Sequence, residues 1–338
     1  MKKLATLPYG SRLYGTFTEQ SDYDWKVITL PDIADMLAGA HLKNVFYSTS
    51  SNTVKNNAAD TDLEYIPLQI FAKDFLAGQT YAIEIAFGIL QRDKIPGVVI
   101  HDLDFVAFIE ELVSKFLTSN VNKMVGYAYS QAQLYSDKGD RLEKLHQFLD
   151  FIKTAQQMEP PLLPEDPLSL VLTIPRGASI MDITDKMLYL TTITESSGRV
   201  VNCVNLLEKL YPVDISINEA ITRVTNTIKK YGARANIARE NDGNDWKALS
   251  HAIRICLQAN DILDTHYLQF PTRPDVAHYL KKIKVGEFPR KDIQNHLVKL
   301  IDAIKDKQVA CKLPTNNEEL NTAFNAWLRI QLTKFYKV

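Results

Sequence analysis

Apolar residues recur along this chain with two different periods. Short runs at Leu4 to Tyr9 and Tyr23 to Leu30, separated by a Gly-Ser turn and a polar spacer, predict two strands, and Asp60 to Ile66 predicts a third. Beyond Pro67 the spacing lengthens. Leu68, Phe71, Phe75 and Leu76 mark a helix that Pro67 starts and Gly78 ends, and Ala82 to Leu90 marks a second. Leu103 to Leu117 carries the stripe Phe105, Phe108, Ile109, Leu112 and Phe116. From Val121 to Ala155 the helical pattern continues, with Asp137-Lys138-Gly139-Asp140 read as the turn of a helical hairpin. Five prolines between Met158 and Pro175, with β-rich runs at Leu168 to Ile174 and Lys186 to Thr194, break from the helices on either side. Ser216 and Glu219 form a capping-box pattern for a helix ending near Gly232. Further helices are predicted over Trp246 to Leu263, from Asp292 onward after a Gly-Glu-Phe-Pro turn flanked by basic residues, and over Asn317 to Phe335. The pattern predicts an α+β protein: a small mixed-sheet core over residues 1–100, a helical region over 101–157, a small β-containing insertion over 158–215 and a helical C-terminal region over 216–338.

Composition narrows the class of protein. A hydrophobic fraction of 46% and a charged fraction of 23% are those of a packed globular chain. Three widely spaced cysteines, Cys203, Cys256 and Cys311, suggest neither a disulfide framework nor a zinc site, and fit a reducing cytoplasm. No apolar run approaches the roughly 20 residues of a membrane-spanning helix, and Pro8, Gly10 and Arg12 interrupt any signal-peptide pattern. A net charge of -1 lacks the global basic excess of avid, sequence-independent nucleic-acid binders. Lys229, Lys230, Arg234, Arg239 and Lys247 nonetheless concentrate positive charge, either as a solvated run or as a local docking patch for RNA or another polyanion.

Candidate chemistry gathers near the start. Tyr9-Gly10-Ser11-Arg12-Leu13-Tyr14-Gly15 is followed across a polar spacer by Ser21-Asp22-Tyr23-Asp24. Two carboxylates one residue apart on a strand project from one face, so Asp22 and Asp24 can share hard cations such as Mg²⁺. Paired metal ions about 3.5–4 Å apart stabilise the attacking and leaving oxygens of a displacement at phosphorus. The Gly10-Ser11 turn lets backbone N–H groups approach a triphosphate, and the Ser11 hydroxyl can donate to it. Arg12 is placed to bind phosphate bidentately or to lie on the surface. Lys26 shares the face of Asp22 and Asp24, where a phosphate contact and a salt bridge to those acids are equally open. Asp62 and Glu64 lie on one face of the third strand; Glu64 is preferred as a third acid because it sits nearer the strand end facing the helix, with Asp62 the alternative.

Gly-Ser-Arg-x-Tyr-Gly followed by Ser-Asp-Tyr-Asp resembles the signature of the DNA polymerase beta-type nucleotidyltransferase superfamily. The wording is similar to a branch of predicted nucleotidyltransferases, found in bacteria and phages, that includes RNA-ligase-associated polymerases. Glu84 matches that branch, whereas Gln79-Thr80 replaces its usual Asn-Pro. Downstream, Lys247, His251 and Arg254 resemble its Lys…His…Arg helix and Gly286-Glu287 its Gly-Glu element. Spacing alone puts Lys247, His251 and Arg254 on one helix face.

The resemblance implies a metal-dependent enzyme moving an NMP from an NTP to an acceptor hydroxyl with release of pyrophosphate. It implies two Mg²⁺ ions, with Mn²⁺ as a substitute, held by Asp22, Asp24 and the third acid. It also implies a nucleotide held by Gly10, Ser11, Arg12, Lys26, Lys247, His251 and Arg254. The expected acceptor is an RNA end, with a protein hydroxyl (AMPylation) as the alternative, and the setting is the cytoplasm, that of the host if a phage encodes the chain. A nucleotide-sensing or interaction module without catalysis is the competing class.

Overall fold

The computed structural model of the chain describes residues 1–19, 21–49, 60–157, 165–173, 179–195, 198–231, 239 and 245–337, with the backbone alone for 131–138 and 173. It divides into two compact units: Met1–Ala132 with Trp246–Val338, and Gln133–Asp245.

The first unit is built on a five-stranded mixed sheet in the order β3-β4-β2-β1-β5, formed by β1 (Lys2–Tyr9), β2 (Tyr23–Leu30), β3 (Val45–Ser48), β4 (Thr61–Pro67) and β5 (Val99–Ile100). β1 and β2 are antiparallel, with Tyr9 opposite Asp24, and β2 runs parallel to β4 with Asp24 opposite Asp62 and Lys26 opposite Glu64. Along β2 the residues of one face change character, from Asp24 and Lys26 at the start to the buried Ile28 and Leu30 at the end. On the same face, Leu7 and Ile66 join Ile28 in a core shared with α3 (Leu68–Leu76), α4 (Thr80–Leu90) and α5 (Leu103–Phe116). The helices therefore cover the apolar end of this face, and the acidic end is left at its rim.

A one-turn helix α1 (Ser11–Tyr14) joins β1 to β2, and α2 (Ile33–Leu37) follows β2. Four further helices complete this unit: α9 (Trp246–Thr265), α10 (Pro274–Lys284), α11 (Arg290–Ala310) and α12 (Glu318–Tyr336). α9 is buried through Leu249, Ala252, Ile253, Cys256 and Ile262 in the same core. α12 seats Trp327 on Phe108 of α5, with ring centroids 4.9 Å apart.

Between these segments runs a single helix, α6 (Asn122–Gln157). The expected hairpin at Asp137 to Asp140 is not formed. Gly139 there costs roughly 1 kcal/mol relative to alanine, and without proline nothing forces the helix to end.

The second unit takes the rest of α6, α7 (Leu168–Thr173), the antiparallel sheet β6-β7-β8 (Leu188–Thr194, Val200–Leu206 and Lys209–Pro212) and α8 (Ile217–Ile228). Its separate core joins Leu142, Phe148 and Ile152 of α6 to Val204, Tyr211 and Val224. The unit is wider than the expected 158–215 insertion, because α6 and α8 supply the apolar faces that its three strands need to bury. Leu168 to Thr173, expected as a strand, is helical. Its Leu168, Val171 and Leu172 are buried at i, i+3 and i+4, a helical spacing in a run whose composition also suits a strand. Ser216 caps α8 through Glu219 N–H as expected, whereas Pro160 to Pro164 and the expected helix end at Gly232 lie outside the described residues.

Candidate functional site

Gly10 sits where β1 turns into α1, at φ 60° and ψ -139°. A side chain is excluded twice over. The backbone lies in a region reserved for glycine, and a Cβ would run into Asp24 Oδ2. The Gly-Ser turn and the acidic strand are thus in direct contact, and Ser11 Oγ, half-exposed, has no protein partner among the described residues. Arg12 turns away from an open phosphate position. Its guanidinium lies 3.4 Å from the centroid of the Tyr23 ring and donates to the carbonyls of Ser21 and Asp22, each at 3.3 Å, which braces the loop entering β2.

Asp24 and Asp62, opposite one another in the β2/β4 register, and Asp22, which precedes β2, are half-buried carboxylates at the rim. Burial first, then the charges of Asp22 and Asp62, push the Asp24 carboxyl above its ordinary value; Lys26 and Lys247 pull the other way. The expected third acid, Glu64, is one pleat farther along β4 and already committed. It is ion-paired with Lys26 and accepts from Asn44 Nδ2 at 2.8 Å. The parallel β2/β4 register sets Asp62, not Glu64, opposite Asp24. Ser48 Oγ donates to Asp62 Oδ1. Lys26 serves as the partner of Glu64, packed 4.8 Å from the Tyr9 ring centroid.

Besides Lys26, two lysines of the C-terminal helices reach the acids electrostatically: Lys247, at the start of α9, and Lys284, at the end of α10. Burial, and then the neighbouring Lys247, hold the Lys284 ammonium below its ordinary value, while Asp22 opposes the shift. Gly286 lets α10 close onto α9, since a Cβ there would sit 2.9 Å from Trp246 Nε1. His251 lies one turn after Lys247 on α9 and is half-buried.

Arg254, expected to touch the nucleotide, is inside the protein. It is 7% exposed, ion-paired with the fully buried Glu84, and bonded to Gln258 Oε1 at 2.9 Å; its guanidinium stacks on the Tyr14 ring at 3.8 Å. Tyr9 and Tyr14 both donate to Glu84 Oε2. Burial, with the charge of Glu84 adding to it, keeps both phenols protonated. Helical spacing placed Arg254 on the face of Lys247, but farther along that face the helix is already under cover. Since Tyr9 and Tyr14 bracket the Gly10-Ser11 turn, this buried cluster ties both ends of the turn to α4 and α9.

Lys284 and the pairing of Tyr9 and Tyr14 with Glu84 are not among the site residues the sequence suggests. Glu84, in an otherwise apolar helix, was the available signal for the cluster; Lys284 was one cation in a basic run. A cavity of about 220 Å³ lies farther along α9, lined by Arg254, Gln258, Asp261 and Arg273, and none of the rim carboxylates reaches it. Of the basic residues grouped in the sequence, Arg239 pairs with Glu143 at 3.7 Å, Lys247 belongs to the other unit, and Arg234 lies outside the described residues. No helix among the described residues is long and apolar enough to cross a membrane.

The chain is 28% identical over 314 residues to an uncharacterized 38.9 kDa protein of the nrdC-mobD intergenic region of Enterobacteria phage T4, covering 90% of this chain and 89% of that one. No protein-family model and no solved structure matches it.

Proposed function

We propose that this chain is a metal-dependent nucleotidyltransferase that moves an NMP from an NTP to an acceptor hydroxyl and releases pyrophosphate. One observation carries the reading: the parallel register that sets Asp62 beside Asp24, at the rim where Gly10 touches the same carboxylate. Among the described residues no group of three acidic, histidine or cysteine side chains is drawn together as a cage for one ion. The donor set instead suits Mg²⁺, which is held by one or two carboxylates and completed by water and substrate phosphates. The mutual repulsion around Asp24 is what a cation relieves. Asp22 and Asp24 would hold the ions, Mg²⁺ or in its place Mn²⁺, with Asp62 as the third acid. Bound there, they supply charge stabilisation at the attacking and leaving oxygens.

The protein's own groups supply position and charge. The Gly10-Ser11 turn and the Ser11 hydroxyl bind phosphate oxygens, and Lys247 and Lys284 offset the charge that builds on the departing pyrophosphate. Asp62 Oδ2 takes the proton of the incoming hydroxyl while Oδ1 is held by Ser48. The acceptor favoured is an RNA end, and the setting, by analogy with the phage relative, is the host cytoplasm.

The test is incubation with α-labelled NTPs and total RNA, then total protein, in Mg²⁺, Mn²⁺ or EDTA. Expected is label on one polymer with matching pyrophosphate, lost in EDTA and in Asp22→Asn. Absence of metal-dependent transfer to either polymer overturns the proposal.

A further inference from the structure

The second unit carries a cleft whose charge differs from that of the chain as a whole. Two adjoining cavities, of about 330 and 450 Å³, share Lys209, Thr227 and Lys230. One extends to Arg141 of α6 and the other to Arg223 of α8. Among the described residues, four cations and no carboxylate line the pair of cavities, in a protein with 39 basic and 40 acidic residues. Their charge is largely unspent. Lys209 Nζ donates to the hydroxyl of Thr227 at 3.2 Å and Arg141 to the carbonyl of Leu207 at 3.5 Å, both neutral acceptors. Lys230 has no acidic partner among the described residues, and Arg223 alone pairs with an acid, the exposed Glu219 outside the lining.

The floor is apolar. Leu145, Leu206 and Leu207 line it, with the half-exposed Tyr231 at one side. Leu207 and Glu208 form the two-residue turn between β7 and β8, and both hold positive φ, 54° and 67°. Such turns ordinarily take Asn-Gly, and a leucine in that conformation is strained. The strained turn aims a buried leucine and its carbonyl into the cleft, where Arg141 is fastened to it.

We propose that this cleft binds a single-stranded nucleic acid, the phosphodiester backbone lying along Arg141, Lys209, Arg223 and Lys230 and an unstacked base resting on Leu207 and Tyr231. Cationic grooves with an aromatic platform and an apolar floor take single strands without strong sequence preference. Cavities of this size accept nucleotides one at a time, not a duplex. The proposal extends the nucleotidyltransferase reading by assigning the acceptor strand a site of its own, and it is tested without nucleotide transfer.

Full-length protein is titrated with fluorescein-labelled 12-mer oligouridylate and oligothymidylate from 50 to 200 mM KCl, by anisotropy. Binding that weakens with salt is expected. The Lys209→Glu/Lys230→Glu variant, both positions being exposed, should weaken it at least tenfold and flatten the log–log salt slope by about 1.4, two phosphate contacts at about 0.7 each. Circular dichroism and Mg²⁺-NTP binding serve as controls for fold and for the other unit, and should not change. Asp24→Asn should bind oligonucleotide as the parent does, and a parent protein that fails the transfer assay yet binds oligonucleotide removes the enzymatic reading and leaves the cleft standing. RNA binding alone identifies an RNA site, and equal RNA and DNA binding a backbone site. No binding of either strand, or equal binding by the folded double variant, overturns the proposal.

Discussion

Asp62 and Glu64 stand two residues apart on one strand and play different parts. Asp62 faces Asp24 across a parallel pair of strands, whereas Glu64 is spent on Lys26, a pair whose side chains are 8% and 14% exposed. Asp62→Asn should therefore act like Asp22→Asn or Asp24→Asn, lowering transfer on the order of 10²-fold or more, since several kcal/mol of charge stabilisation at about 1.4 kcal/mol per decade is at stake. Glu64→Gln should leave transfer within tenfold and lower the urea midpoint, because breaking a buried ion pair costs on the order of 3 kcal/mol. Steady-state rates and denaturation curves of the two variants, side by side, return the third-acid role to Glu64 if the pattern is reversed. Asp24 makes a second prediction. Its carboxyl lies above the ordinary value, so between the unfolded and folded values the native state holds a proton that the unfolded chain has released. Ionisation then costs stability as pH rises through that window, and the cost persists at neutral pH. Asp24→Asn should accordingly melt higher than the parent at pH 7–8 in EDTA, the gap closing toward pH of about 4. Equal melting at neutral pH would contradict the crowding.

The turn between β1 and α1 owes its shape to elements far from it in sequence. Tyr9 and Tyr14 anchor it to Glu84 of α4, and Glu84 is balanced by Arg254 of α9. Arg254→Met leaves a carboxylate of 0% exposure without its cation, which should destabilise the fold by about 3–5 kcal/mol. Arg254→Met/Glu84→Gln removes both charges and should recover part of that loss in guanidinium titrations. A double variant whose losses simply add would mean that the two residues do not act as a pair.

Two cores in one chain set how it can be cut. Replacing residues 133–245 by a Gly/Ser linker removes the second core whole, and the remaining unit should melt cooperatively and still bind Mg²⁺-NTP. Replacing only 158–212 takes away α7 and β6 to β8 while leaving Phe148, Ile152 and Val224 without their cover, and should yield an aggregating protein. Scanning calorimetry and light scattering of both deletions test this; a folded, monodisperse short deletion paired with an unfolded long one would show that the division of cores is wrong.

By itself the sequence determined the elements with strong local signals and the chemistry of their short-range spacing. β1, β2 and β4, the helices from α3 to α5 and the Ser216 cap all follow from periods of two and 3.6 and from residues only a few positions apart, whereas Asp22, read on a strand with Asp24, falls just before β2. Tertiary structure alone decided matters of partnership. Parallel pairing of β2 with β4 puts Asp62, not Glu64, opposite Asp24, a placement that depends on strand direction and register and leaves no trace in the spacing of either strand. Burial turned Arg254 from a candidate ligand into an internal strut, because a helix face is solvent or core only according to what is packed on it. Gly139 within α6, like the second core that begins near it, shows the same limit: a weak local breaker yields to side chains far along the chain that need a continuous apolar face to bury against.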